Sequence, residues 1–142
     1  MRKFLIPLTA LCLQMAFILT GSNAFAQTDV GTLSVLEPSS PICAGTQTVK
    51  AIIRNYGAVD ITSATIGWEV NGASQSAASY SGLIPAGTND TVTLGTFMFS
   101  SSTTYIFKIY TSAPNGGADA NAANDTLTSG VFATSLSGTY TI

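Results

Sequence analysis

The sequence predicts an all-β protein: an antiparallel sandwich of about seven strands that follows an N-terminal export signal. Turn-forming Gly, Pro, Asn and Asp recur roughly every ten residues after the signal, and runs rich in Val, Ile, Thr, Tyr and Phe lie between them. No long segment after the signal repeats its apolar residues with the period of an amphipathic helix. Many short strands separated by regular turns are typical of a sandwich or a barrel.

Residues 1–26 have the organisation of a removable signal peptide. Arg2 and Lys3 provide a positive start, the stretch Phe4–Leu19 is largely apolar, and Ala24-Phe25-Ala26 has the small-x-small form of a signal peptidase site. The apolar stretch is shorter than the roughly 20 residues that a membrane-spanning helix needs. We therefore predict cleavage after Ala26 and a secreted or cell-surface product without membrane insertion.

Residues 27–136 are predicted to form one domain, and residues 137–142 a terminal strand or the start of a further segment of a longer protein. After the signal the chain has three basic and seven acidic residues, a net charge of −4. Three scattered cations provide neither the basic surface that binds nucleic acid nor the polybasic patch that binds anionic lipid. We therefore expect neither class of partner.

The first two strands are predicted at Val30–Leu36 and Thr46–Arg54. Pro38 and Pro41 end the first strand, because proline cannot donate a hydrogen bond to a neighbouring strand. The second strand alternates, and we assign one of its faces to the core: Val49, Ala51 and Ile53. The chain then turns at Asn55-Tyr56-Gly57.

The third strand, Ile61–Val70, has the clearest two-residue alternation. Its predicted core face consists of Ala64, Ile66, Trp68 and Val70. Asn71-Gly72 follows at once, and this pair predicts a tight hairpin because both residues tolerate positive φ. The return strand, Ala73–Tyr80, is small and polar and suits a sheet edge.

A loop at Leu83–Gly87 separates the return strand from three further predicted strands, Thr91–Phe99, Thr103–Thr111 and Thr126–Ala133. In the second of these three, Tyr105, Phe107 and Ile109 alternate with residues that include Lys108. We assign the Tyr105 set to the core, because the Lys108 ammonium needs water.

Five short motifs stand in an order that resembles a known family. They are Asp29-Val30-Gly31, Asn55-Tyr56-Gly57, Trp68-Glu69-Val70-Asn71-Gly72, Leu83 to Gly87, and Asp119 to Thr126. In this order they are similar to the cell-adhesion-related domain found in bacteria (CARDB), an immunoglobulin-like module of seven strands that is often repeated in large surface proteins. The resemblance covers about residues 29–131. The last motif departs from the pattern, because such domains often carry a glutamate there.

The resemblance implies an immunoglobulin-like β-sandwich with a structural or adhesive role and no catalytic residues. The implied partners are other surface proteins or glycans, and neighbouring domains of a longer chain. Trp68 and Tyr105 stand where such a sandwich carries its core tryptophan and its corner tyrosine. The intersheet disulfide of antibody domains is missing, because Cys43 is the only cysteine after the signal. We predict that Cys43 packs as a small apolar residue, with pairing to another chain or to a downstream segment as the alternative.

Histidine is absent from the chain, which removes the Ser-His-Asp and Cys-His systems, histidine zinc sites and the usual general base near neutral pH. The acidic residues fall mostly at turns, where Asp is common for its effect on the backbone. A glycosidase would need two carboxylates facing each other across a cleft. We therefore predict that the protein is not an enzyme and needs no cofactor.

One loop contains candidate metal ligands, namely Asp119, Asn121, Asn124 and Asp125. Clustered carboxylate and amide oxygens suit Ca²⁺, which takes six to eight oxygen ligands. The spacing matches no EF-hand, and the same residue types form Asx turns. The sequence favours a turn-forming role, with calcium as the alternative.

Tyr56, Tyr80 and Tyr110 are candidate ligand-facing aromatics, because a row of exposed rings would stack on sugars. The sequence therefore favours a structural or adhesive module, with a carbohydrate-binding module directed at a polysaccharide as the alternative. Three coplanar exposed rings would favour the second function. A surface of Ser, Thr and Asn would favour the first.

Overall fold

The structure is a computed structural model that describes residues 27–130 and 132–134. The signal peptide and the segment 137–142 lie outside these residues and stay predictions. The strands are β1 (Val30–Glu37), β2 (Gly45–Asn55), β3 (Ile61–Val70), β4 (Ala73–Ser74), β5 (Ala78–Ile84), β6 (Asn89–Phe99), β7 (Thr104–Tyr105), β8 (Phe107–Ser112), β9 (Thr126–Thr128) and β10 (Phe132–Ala133). In the described part of the chain no helix is long and apolar enough to span a membrane.

Two antiparallel sheets form the body of the domain. The first has the order β1-β2-β6. In the second, β3 pairs with β4 and β5 along one side and with β8 on the other, and β9 extends the sheet beyond β8. β7 and β10 form a small additional antiparallel pair. The predicted all-β antiparallel sandwich is confirmed.

The core contains the alternating residues that the sequence assigned to it. On β2 and β3 the buried residues are Val49, Ala51, Ile53, Ala64, Ile66, Trp68 and Val70; Tyr105, Phe107 and Ile109 are buried on β7 and β8. Lys108, between two of them, is exposed. An alternating strand can bury only one face, so the position of one lysine indicates which face that is.

The loop predicted at Leu83–Gly87 is wrong at its start. β5 continues to Ile84, which is fully buried and pairs with Ile61. A shift in register between Ile61 and Ser63 separates Ile84 from the regular pairing of the rest of β5. A simple two-residue alternation therefore does not carry through to the end of this strand.

Three of the predicted strands are each divided in two. The return strand Ala73–Tyr80 becomes β4 and β5. Thr103–Thr111 becomes β7 and β8, which pair with different partners, and Thr126–Ala133 becomes β9 and β10. The break between β7 and β8 lies at Ile106, whose N–H donates to Asn71 Oδ1 at 2.8 Å. The Ile106 carbonyl accepts from the Asn71 N–H at 2.9 Å. The hairpin turn therefore takes the backbone hydrogen bonds that a continuous strand would have used.

The Asn71-Gly72 pair forms the two-residue turn between β3 and β4. Both residues have positive φ, 49° and 80°, as a hairpin turn of the mirror-image kind requires. Val70 and Ala73 pair directly across the turn. The Asn71 side chain also connects the turn to the break between β7 and β8, which the hairpin motif by itself does not predict.

The expectation that Cys43 is packed is wrong. Its neighbour Ile42 is 1 % exposed and forms an isolated bridge with Thr134, whereas Cys43 is exposed. Neighbouring residues of an extended segment point in opposite directions, so the burial of Ile42 directs Cys43 outward. Cys43 forms no disulfide with any residue that the structure describes.

Candidate functional site

The loop of residues 119–125 lies against the start of β1. The Asp119 carboxylate joins the two segments: its Oδ2 accepts from the Val30 N–H at 2.9 Å, and its Oδ1 accepts from the Asn121 N–H at 2.8 Å. The Asn121 side chain in turn accepts from the Ala123 N–H at 3.3 Å. Asn121 is exposed and has the turn-forming role that the sequence favoured for this loop.

Asn124 and Asp125 hold the end of the loop to the sandwich. Asn124 Nδ2 donates to Asp29 Oδ1 at 2.9 Å. The Asp125 carbonyl accepts from the Thr111 N–H at 3.1 Å and from the Thr32 hydroxyl at 3.0 Å. The loop is therefore fixed to β1 and to β8.

Two side-chain oxygens in this loop are buried and have no donor among the residues that the structure describes: Asn124 Oδ1 and Asp125 Oδ1. Buried polar atoms in proteins nearly always have a hydrogen-bond partner, so two such atoms in neighbouring residues are unusual. Gly31 lies directly beneath them: a Cβ at this position would stand 2.6 Å from the Asn124 carbonyl oxygen and 3.0 Å from Asn124 Oδ1. Only glycine allows the loop to approach β1 so closely.

Three carboxylates, those of Asp29, Asp119 and Asp125, lie near one another at this place. Burial, followed by the charges of Asp119 and Asp29, raises the pKa of Asp125 from 3.8 to about 6. Asp29 is 9 % exposed. The sequence analysis selected Asp119, Asn124 and Asp125 but missed Asp29, since no local pattern connects residues so far apart in the chain.

This pKa gives a testable dependence of stability on pH. The folded state holds the Asp125 proton more tightly than the unfolded state, so ionisation weakens the fold. We expect the free energy of unfolding to fall by about 1–3 kcal/mol as the pH rises from about 4 to above 6 in metal-free buffer.

Asp125→Asn keeps a similar shape without the charge and should remove this fall. Urea unfolding of both proteins at pH 4.5 and pH 7.5 checks the expectation. The difference between the two pH values should be larger in the wild type than in the variant; equal differences would contradict it.

A cleft of about 470 Å³ adjoins the loop, lined by Glu69, Lys108, Tyr110, Thr111, Ala122, Asp125 and Thr126. The Lys108 ammonium is 3.2 Å from a Glu69 carboxylate oxygen and 5.6 Å from the centre of the Tyr110 ring. The Tyr110 ring lies over Gly67, so close that a Cβ at this position would require the ring to move. The cleft is therefore open, and its lining combines an ion pair with one aromatic ring.

The three tyrosines do not form a row of exposed rings. Tyr80 as a ligand-facing residue is wrong: it is 8 % exposed, and its hydroxyl donates to Asp90 Oδ2 at 2.6 Å. Burial and this hydrogen bond raise the pKa of Tyr80 to about 12. Tyr56 is exposed, with the Arg54 guanidinium 5.3 Å from its ring centre, and Tyr110 is half-buried in the cleft.

Trp68 and Tyr105 lie in the core, apart from the loop. Trp68 is 3 % exposed, and its Nε1–H donates to the Ser76 carbonyl at 2.9 Å. The Tyr105 hydroxyl accepts from the Ser100 N–H, five residues upstream, at 2.8 Å. The Tyr105 ring packs edge-on against Phe97 and Phe99. This is the geometry of a tyrosine corner.

The architecture is similar to that of two solved domain structures. The CARDB domain of a Pyrococcus furiosus protein, crystallised in complex with di-metal ions, superposes with a TM-score of 0.59 at 14% identity, over 79% of this chain and 97% of that one. A domain of a Methanosarcina acetivorans protein, assigned provisionally to the cell surface, also superposes with a TM-score of 0.59. Its sequence identity is 19%, over 81% of this chain and 97% of that one. No family profile and no curated protein sequence matches the chain. The protein therefore has a CARDB-like fold.

Proposed function

We propose that the protein is a non-catalytic structural or adhesive module of the cell surface, and that it belongs to a larger exported protein. The observation that carries this proposal is the CARDB-like sandwich, which it shares with a domain of a protein assigned provisionally to the cell surface. The N-terminal signal predicted from the sequence supports export. The resemblance to CARDB domains implies a role as an adhesive or spacer unit.

The outer faces of the strands support the same proposal. Their exposed residues include Thr62, Thr65, Thr91, Thr93 and Thr96. Uncharged hydroxyl groups keep a sheet face wetted, and branched threonine suits a strand. Such a surface fits a spacer or a broad, weak contact better than a site built for chemistry.

Export is tested by expressing the full chain with its own N-terminus in a bacterial host. We expect a product that begins at Gln27, measured by mass spectrometry, and that is outside the cytoplasm. Ala24→Asp is the control, because it removes a small residue from the cleavage site and should block processing. A cytosolic product that keeps residues 1–26 would contradict the proposal.

The carbohydrate-binding alternative has one structural argument in its favour, the Tyr110 ring in the cleft beside Glu69 and Lys108. Rings that stack on sugars are usually exposed, and the burial of Tyr80 leaves no set of three. Retention on immobilised polysaccharides distinguishes the two functions. For a structural or adhesive module we expect no retention. Retention that Tyr110→Ala abolishes and Tyr56→Ala does not would favour carbohydrate binding through the cleft.

A further inference from the structure

We propose that Asp29, Asp119, Asn124 and Asp125 form a binding site for a divalent cation that prefers oxygen ligands, with Ca²⁺ as the best fit. We call these four residues the acidic-loop site. It joins the last long loop to the start of β1, 95 positions earlier in the chain. The inference concerns binding and does not depend on where the protein acts.

The first support is the pair of buried oxygens without donors. Asn124 Oδ1 and Asp125 Oδ1 have lost water and gained no hydrogen bond. The Asn124 amide cannot simply be reversed, because its Nδ2 already donates to Asp29 Oδ1 at 2.9 Å. A cation bound at the loop would supply the positive partner that such an oxygen lacks.

The second support is the balance of charge around the site. Three carboxylates come together there, and the three basic side chains after the signal are engaged elsewhere. Lys50 pairs with Glu37, and Lys108 pairs with Glu69. Arg54 lies over the ring of Tyr56. Like charges held together in a partly buried place favour the uptake of a cation.

The remaining hydrogen bonds leave the carboxylates free to act as ligands. The two Asp119 oxygens each accept one backbone N–H, from Val30 and from Asn121. A carboxylate oxygen has two lone-pair positions, so each of these oxygens keeps one. The backbone donors fix the direction of the Asp119 side chain and do not occupy it fully.

The chemistry of the donors selects the kind of metal. The site offers carboxylate and amide oxygens and has no sulfur or imidazole, which excludes the usual ligands of zinc. Mg²⁺ demands near-octahedral geometry, whereas Ca²⁺ accepts irregular oxygen shells such as a loop of turns provides. Ca²⁺ therefore fits better than either.

The binding is expected to be weak. Among residues 27–130 and 132–134, no group of three or more His, Cys, Asp or Glu side chains is placed to hold a metal ion, so at most two of the three carboxylates would contact the ion directly. The Asn124 amide oxygen and water therefore have to complete the shell. Extracellular calcium modules of this kind bind with dissociation constants of about 0.1–1 mM.

The test is a calorimetric titration of the purified, metal-free chain with CaCl₂, together with thermal unfolding at each concentration. We expect a dissociation constant of about 0.1–1 mM, a higher Tm with CaCl₂ and a smaller effect with MgCl₂. Asp125→Asn should weaken the binding at least tenfold. Glu37→Gln removes the same charge from the Lys50 ion pair at the other end of β1 and should leave the binding unchanged.

Each further outcome decides the question. No heat and no rise in Tm up to 10 mM CaCl₂ would overturn the proposal, and so would an equal rise with NaCl of matched ionic strength. Calcium binding that persists in Asp125→Asn with wild-type affinity would place it outside the acidic-loop site. Asp119→Asn would also disturb the hydrogen bond from the Val30 N–H, so it cannot isolate the loss of a metal ligand. The deciding variant is therefore Asp125→Asn, and circular dichroism checks that it is folded.

Discussion

Replacing Trp68 with alanine is expected to lower the free energy of unfolding by about 3–5 kcal/mol. The indole is 3 % exposed in the centre of β3, and its Nε1–H donates to the Ser76 carbonyl. Its removal leaves a large cavity between the sheets and an acceptor that loses its donor. Because Trp68 is the only tryptophan, urea unfolding should be followed by circular dichroism.

Two variants serve as controls for this result. Trp68→Phe keeps most of the apolar volume and should cost about 1–2 kcal/mol. Leu83→Ala removes an apolar side chain that is 60 % exposed and should change stability by less than about 0.5 kcal/mol. A loss for Trp68→Ala no larger than that for Leu83→Ala would show that the indole does not hold the two sheets together.

The second large effect is expected at Asn55. This residue is fully buried at the end of β2, and its Nδ2 donates to the carbonyls of Val59 at 2.8 Å and Ile84 at 2.9 Å. Its Oδ1 accepts from the Gly57 N–H at 2.9 Å. One side chain therefore satisfies three backbone groups, two in the turn that follows β2 and one at the end of β5.

Asn55→Ala should lower the free energy of unfolding by about 2–5 kcal/mol, because the buried Ile84 carbonyl and the part-buried Val59 carbonyl lose their donor and the Gly57 N–H loses one of its acceptors. Asn89→Ala is the matched control: Asn89 is exposed, and within the described part of the chain its side chain accepts one long hydrogen bond, from Arg54 at 3.5 Å. We expect less than about 0.5 kcal/mol for the control. Equal losses in the two variants, measured by urea unfolding, would contradict a special role for Asn55.

Much of the fold could be predicted because its signals are local. The alternation of β2 and β3 comes from neighbouring residues, and the positive φ of Asn71 and Gly72 reflects what those two residue types tolerate. For Asn55, in contrast, the sequence predicts only that it begins a turn. Its hydrogen bonds to the carbonyls of Val59 and Ile84 are known only from the structure, where the end of β5 lies beside the end of β2.

β6 shows where the local signal fails. Val92 and Leu94 are buried, but the next residue to face the core fully is Phe99, an odd number of positions later. Gly95 lies between, with φ of 153° and a shift in the pairing with β2. A bulge moves all later side chains to the opposite face, and its position depends on the partner strand.

The candidate site divides in the same way. Asp119, Asn124 and Asp125 could be found from the composition of one loop, while Asp29 could not. From the sequence, Asn121 and Asn124 are equally good candidate ligands. The structure separates them: Asn121 is exposed and completes a turn, whereas Asn124 Oδ1 is buried.

Local signals in the sequence are sufficient to predict a β-sandwich with Trp68 and Tyr105 among its core residues, since alternation and turn preferences act over a few residues. They do not predict which loops meet, which strands divide or which oxygens are left without a donor. Those features depend on contacts such as that between Asn124 and Asp29, 95 positions apart, which form only when both sheets are in place.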